Sequence, residues 1–224
     1  MDAALAESLI RVLLAMVFIT GAFIVTRRDL LSLVSTYAIQ SLFLTFMALV
    51  LYATNGSPIL LALAALTFFS KVVYIPGRIR QIQRRMNIRR DFEFKYISPS
   101  GMIVATIVII LLVYYALSGF LRDLAGSNLF YLGSVFGISL TMMGMLVTFS
   151  RRKIVTKIIG YLTMENGVLL FGIFLTELPL IIEVLVLIDL VIIVLLATIL
   201  AVGIDSSIED FQSRLRPFQG REDD

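Results

Sequence analysis

Seven apolar stretches run along this chain, at 8–26, 30–54, 58–77, 101–121, 129–149, 154–176 and 180–203. A helix needs about 20 apolar residues to cross a hydrocarbon core of about 30 Å. Backbone groups in hydrocarbon must be paired within the segment, so consecutive stretches of this kind fold as helices. The breaks carry charges or turn formers: Arg27-Arg28-Asp29, Asn55-Gly56-Ser57, the long 78–100, Arg122 to Asn128, Arg151-Arg152-Lys153 and Glu177-Leu178-Pro179. The expected fold is an all-α integral membrane bundle of seven transmembrane helices. Composition agrees, with 59% of the 224 residues apolar, 16% charged and a mean hydropathy of +0.96. An ordinary soluble domain is about 45–50% apolar and about 25% charged.

Cys, His and Trp are all absent. That removes disulfides, Cys- or His-ligated zinc, haem and iron–sulfur centres, and Ser-His-Asp or Cys-His hydrolysis. No redox cofactor of its own is therefore expected. The net charge of +3 reads as cationic loops facing the cytoplasm rather than as nucleic-acid binding. Of the 19 basic residues, 15 lie on alternate breaks and in the tail, and the opposite breaks carry only Arg122. This bias predicts an outside N-terminus and a cytoplasmic C-terminus, which an odd number of spans allows. The first stretch opens with Asp2 and Glu7 rather than a basic region, so it does not read as a cleavable signal peptide.

The sequence divides into a four-helix part at 1–127 with the basic loop 78–100, a three-helix part at 128–203, and a tail at 204–224. Ile75, Ile79, Ile82 and Met86 recur at helical spacing with Arg80, Arg84 and Arg85 among them. The third helix is expected to run on past the membrane as a basic amphipathic arm. Phe92, Phe94 and Tyr96 then alternate with charges. Lipid anchoring and docking of a soluble partner subunit both fit this loop. The tail carries Ile204, Ile208, Phe211, Leu215 and Phe218 on one stripe, with Ser206 and Glu209 as a capping box and Pro217 as a stop. A membrane-surface helix and a partner-binding helix fit it equally. In the fifth span Gly133, Gly137, Thr141 and Gly144 share one face, a pattern that lets helix backbones approach closely.

Six ionisable residues fall inside the spans: Arg11, Lys71, Lys157, Glu165, Glu183 and Asp189. Arg11 and Lys157 sit near helix ends and can reach the interface. Glu183 lies about one turn into the last span. At a rise of about 1.5 Å per residue, Asp189 is about 14 Å from the outer end of its helix, Glu165 about 17 Å from the inner end, and Lys71 about 20 Å from the outer end. A charge at the bilayer centre costs at least about 2.5–3.5 kcal/mol. Two readings follow. One is a buried ion pair, Lys71 with Glu165 or Asp189, that fixes packing and leaves one carboxylate over. The other is a proton or ion relay, in which moving the partner charge switches an acid between holding and releasing a proton. Tyr37, Gln40, Ser41, Thr163 and Asn166 lie at similar depth and extend a polar path. The carboxylates are expected to face the bundle interior.

These strings resemble a known family. Gly160-Tyr161-Leu162-Thr163-Met164-Glu165-Asn166-Gly167, followed by Glu183 and Asp189, looks like hydrogenase-4 component E, a membrane subunit of formate hydrogenlyase-type, group 4 nickel–iron hydrogenases. Tyr37-Ala38-Ile39-Gln40-Ser41, and Lys71 with Pro76, are similar to the same family. The likeness runs over about residues 15–203. The last three spans also resemble subunit K of complex I and the C subunit of multisubunit cation/proton antiporters, through Arg151-Arg152, Gly160 and Asn166. In subunit K a carboxylate stands two residues after the glycine; here that place is Leu162, and Glu165 lies one turn on. Asp189 falls at the position of the second buried glutamate of subunit K. The resemblance implies a non-catalytic accessory subunit of a proton-translocating oxidoreductase complex in a prokaryotic cell (inner) membrane. It implies antiporter-like neighbours, a neighbour similar to the H component of complex I, and indirectly a soluble hydrogenase or redox arm. A scaffold without a transport role is the alternative. An independent secondary transporter fits less well, because no inverted repeat and no pair of broken helices marks a substrate site.

Overall fold

The computed structural model describes residues 3–27, 29–86, 98–125, 128–151 and 154–174, with seven further residues between 187 and 198. The chain forms α1 (Ala3–Thr26), α2 (Leu30–Asn55), α3 (Pro58–Thr67), a π-helical segment (Phe68–Tyr74), α4 (Ile75–Met86), α5 (Pro99–Ala125), α6 (Asn128–Ser150) and α7 (Ile154–Phe174). Six helical runs are long and apolar enough to cross a membrane, and α3, the π-helical segment and the start of α4 form the third of them, Pro58–Gln81. They coincide with the first six expected spans. The seventh expected span, with Glu183 and Asp189, falls almost wholly outside the described residues, as do the stretch from Phe92 to Tyr96, the Arg152–Lys153 pair and the tail.

Turn chemistry sets the breaks. Asp29 caps α2, its carboxylate accepting from the Ser32 amide at 3.0 Å. Gly56 closes α2 at φ 68°, a left-handed conformation that costs glycine little. Pro58 then occupies the first turn of α3, where its missing N–H is no loss. The third helix does continue to Met86, and Ile75 and Ile79 pack inward at its start.

The small-residue face of α6 meets α7. A Cβ on Gly144 would collide with the backbone of Met164. Glycines on α7 answer those on α6, a reciprocity that the spacing on α6 alone does not reveal: Gly160 receives Thr148, and Gly167 receives Thr141 and the Gly137 carbonyl. Without intervening side chains the two backbones approach closely, and this fixes how α7 is rotated about its axis.

Arg151 is a correction to the loop reading. It is 1% exposed, and its guanidinium donates to the carbonyls of Ile24 (3.5 Å), Val25 (3.3 Å) and Arg27. The last carbonyls of a helix lack partners within it, and a cation there also meets the negative end of the helix dipole. Arg151 thus ties the end of α6 to the end of α1. Replacing it with Leu removes charge-assisted bonds and strands carbonyls, at a cost of roughly 1.5–3 kcal/mol. The thermal midpoint of the full chain in detergent should fall clearly. Arg11→Gln should leave it unchanged, because the Arg11–Glu7 pair at 2.6 Å is half exposed and such pairs contribute little.

Two apolar layers fill the bundle. One, toward the end that carries Arg27, Arg78 and Arg151, gathers Leu33, Tyr37, Ile75, Met143 and Leu162. The other gathers Leu14, Leu44, Leu63, Leu169 and Ile173. On α2 the residues between the layers are Gln40 and Ser41; on the third span they are Ser70 and Lys71; on α7 they are Glu165 and Asn166. Helix α5 is the least enclosed of the spans, with Val104, Leu112 and Tyr115 exposed.

Candidate functional site: a buried ion pair between two apolar layers

Lys71 sits inside the π-helical segment. There the Ile75 amide donates to the Ser70 carbonyl, five residues back. Pro76 has no N–H to donate, and in a regular helix its ring would press on the carbonyl of Val72. A wider turn just before the proline relieves that conflict while keeping the span continuous. Such π-turns occur frequently at functional positions. The apolar helix then presents Thr67, Ser70 and Lys71, all buried, toward the bundle interior.

Lys71 Nζ lies 2.8 Å from Glu165 Oε1, with the two side chains 0% and 2% exposed. The sequence left Lys71 open to either of two acids; the geometry pairs it with Glu165, and Asp189 lies outside the described residues. Lys71 also donates to Asn166 Oδ1 at 3.4 Å. Asn166 Nδ2 in turn donates to Gln40 Oε1 at 3.1 Å and to Ser41 Oγ at 3.0 Å. Gln40 Nε2 donates onward to the Val17 carbonyl at 3.2 Å, on α1. The four spans are thereby joined at one depth. Beside the Gln40–Val17 bond Gly21 leaves room for Leu140, whose Cδ1 would lie 2.6 Å from a Cβ built there. The ammonium can only donate, so Asn166 must turn its oxygen toward Lys71 and its nitrogen toward α2, and Gln40 follows the same order.

Glu165 and Asn166 are consecutive, so their side chains leave α7 about 100° apart. The glycine seam of α6 holds one side of α7, which aims Glu165 at the third span and Asn166 at α2. Tyr37 is fully buried one turn before Ser41, within the apolar layer on the basic side. Thr163 is buried at this depth, and its hydroxyl donates to the Ile159 carbonyl at 2.8 Å, a local bond usual for threonine in a helix. Thr67 and Ser70 escaped notice in the sequence. Their signal was present, since Thr67, Ser70 and Lys71 are spaced three and one apart on an otherwise apolar helix.

The chemistry available is that of a buried acid paired with a buried amine. A carboxylate and an ammonium meet in the buried interior, and the Ser41 hydroxyl, which can donate as well as accept a hydrogen bond, joins them through Asn166. Among the described residues no group of three carboxylates gathers to hold a metal ion. By length and composition the chain is an all-helical, multi-pass membrane protein. No family model matches it, and no curated protein or solved structure matches it either. The functional reading rests on the residues, their geometry and the sequence resemblance given above.

Proposed function

We propose that this chain is a non-catalytic membrane subunit of a redox-driven complex that translocates protons or cations, of the group 4 hydrogenase and complex I-like type, with Lys71 and Glu165 at the core of its relay. Asp189 and Glu183 continue that relay on the seventh span. The observation that carries the reading is the wholly buried Lys71–Glu165 pair at a π-turn, coupled by hydrogen bonds to two other spans. Charges at this depth are costly and are retained where they mark ion pathways. A proton taken up by Glu165 discharges the carboxylate and weakens its hold on the ammonium. Lys71 then gains by moving toward another acceptor, and its departure favours ionisation of the next acid it meets. The π-turn supplies backbone slack for that movement. The resemblance implies a prokaryotic cell (inner) membrane, and the loop charges put the N-terminus outside and the basic end in the cytoplasm.

The closed geometry of the pair and the satisfied amides favour a second reading, a scaffold subunit of the same membrane arm. Isolation in mild detergent tests what both readings share. Antiporter-like membrane proteins and one similar to the H component of complex I, together with a nickel–iron hydrogenase or related redox arm, should accompany the chain in stoichiometric amounts. Recovery of a stable monomer that transports ions by itself would overturn both.

A further inference from the structure

A cleft of about 320 Å³ opens beside the start of α7, lined by Ile158, Ile188, Val191, Ile192 and Leu195 with Lys157 and Tyr161. That volume falls in the usual range for a ligand site, about 300–1,000 Å³. Ile192 is buried in the apolar layer of the basic side and Ile188 packs on it, while Val191 and Leu195 are exposed along the cleft. The lining is almost entirely hydrocarbon. Lys157 and Tyr161 stand one helical turn apart on one face of α7, and Thr148 lines the cleft from α6. Lys157, in the first turn, is exposed, and none of the ion pairs among the described residues involves it.

We propose that this cleft binds an anionic phospholipid, with an acyl chain along Ile188, Val191 and Leu195 and the phosphate on the Lys157 ammonium. Three features select this occupant. The ammonium lies about 12 Å along α7 from Glu165, hence at the headgroup level while the hydrocarbon lining lies deeper. It stands at the same basic end of the bundle as Arg151 and at the positive end of the α7 dipole. A second protein helix laid on the same lining would have to bury that ammonium beside apolar side chains at substantial cost. A lipid phosphate instead brings the compensating charge and stays in water. Basic pockets between transmembrane helices on the cytoplasmic side bind such headgroups. Tyr161, one turn deeper, offers a hydroxyl to the glycerol ester. The lipid would pin the last span against α7.

Native mass spectrometry of the full chain in delipidating detergent tests this directly, with phosphatidylglycerol and phosphatidylcholine of identical acyl chains as probes. Phosphatidylglycerol should be retained about fivefold better than phosphatidylcholine, the preference that one surface cation confers. Lys157→Gln should erase the preference, and Arg27→Gln, at the same end of the bundle, should keep it. Val191→Trp, which fills the cleft, should lower retention of both lipids. The proposal is overturned if Lys157→Gln keeps the preference, if Arg27→Gln loses it equally, or if Val191→Trp leaves retention unchanged. Because the chain has no cysteine, Leu195→Cys also reports on the competing occupant. Disulfide-linked dimers of that variant in native membranes would show a second copy seated there and would equally overturn it.

Discussion

A leucine at Gly144 is expected to keep α6 and α7 from closing and to cut the yield of folded chain severely. Its first carbon already meets Met164 backbone atoms and, at 2.8 Å, the Gly160 carbonyl oxygen. Backbone cannot swing aside as a flexible side chain can, so the helices must separate or rotate. Overpacking in a well-filled core costs about 1–3 kcal/mol even when side chains absorb it, and here they do not. Separation also releases the rotation of α7 that aims Glu165 at Lys71. The variant should therefore show faster hydrogen exchange in α7 and a lower thermal midpoint. Gly119→Leu is the matched control, because nothing lies within 4 Å of a Cβ built there; it should behave as the native chain in both measurements.

The second large effect concerns Lys71→Met. The change preserves an unbranched side chain and removes the ammonium, leaving the Glu165 carboxylate 2% exposed without its cation. Removing one partner of a buried pair costs about 3–5 kcal/mol, because the other charge stays buried. Part of that cost disappears if Glu165 takes up a proton. Assembly of the chain into its complex should thus fall for Lys71→Met and recover in the double variant Lys71→Met with Glu165→Gln, which leaves no buried charge at the pair. Recovery of assembly by itself fits a packing pair as well as a relay. The two part company on Glu165→Gln alone. Glutamine keeps the size of the side chain and an oxygen for Lys71 Nζ, but it has no proton to exchange at physiological pH. Under either reading the ammonium stays buried without its carboxylate, so assembly falls in part. A scaffold would keep transport in the complexes that form, and a relay would lose it.

Much of this was legible in the sequence because hydrocarbon is an unforgiving solvent. Six spans could be read from length and apolarity alone, and Lys71 and Glu165 stood out because charges in such runs are rare. The Gly133, Gly137 and Gly144 face was legible as a helix seam through its spacing. What escaped reading depends on three-dimensional context. The choice of Glu165 as the partner of Lys71 is set by the rotation of α7, which the α6 seam fixes from the far side. Arg151 was hidden among three consecutive cations, of which geometry turns this one inward to the end of α1. The π-turn is a backbone response to Pro76, and a single proline marks a departure from regular helix without saying which kind.

Proton transport by assembled Glu165→Gln complexes tests the relay most directly. The measurement is acidification of membrane vesicles followed with a pH-sensitive dye, normalised to the amount of this chain present in intact complex. Glu165→Gln should lower coupled transport per assembled complex by roughly a hundredfold or more, as loss of a positioned proton-transfer group does. Native transport rates in fully assembled Glu165→Gln complexes would contradict the relay and leave the Lys71–Glu165 pair as a packing device.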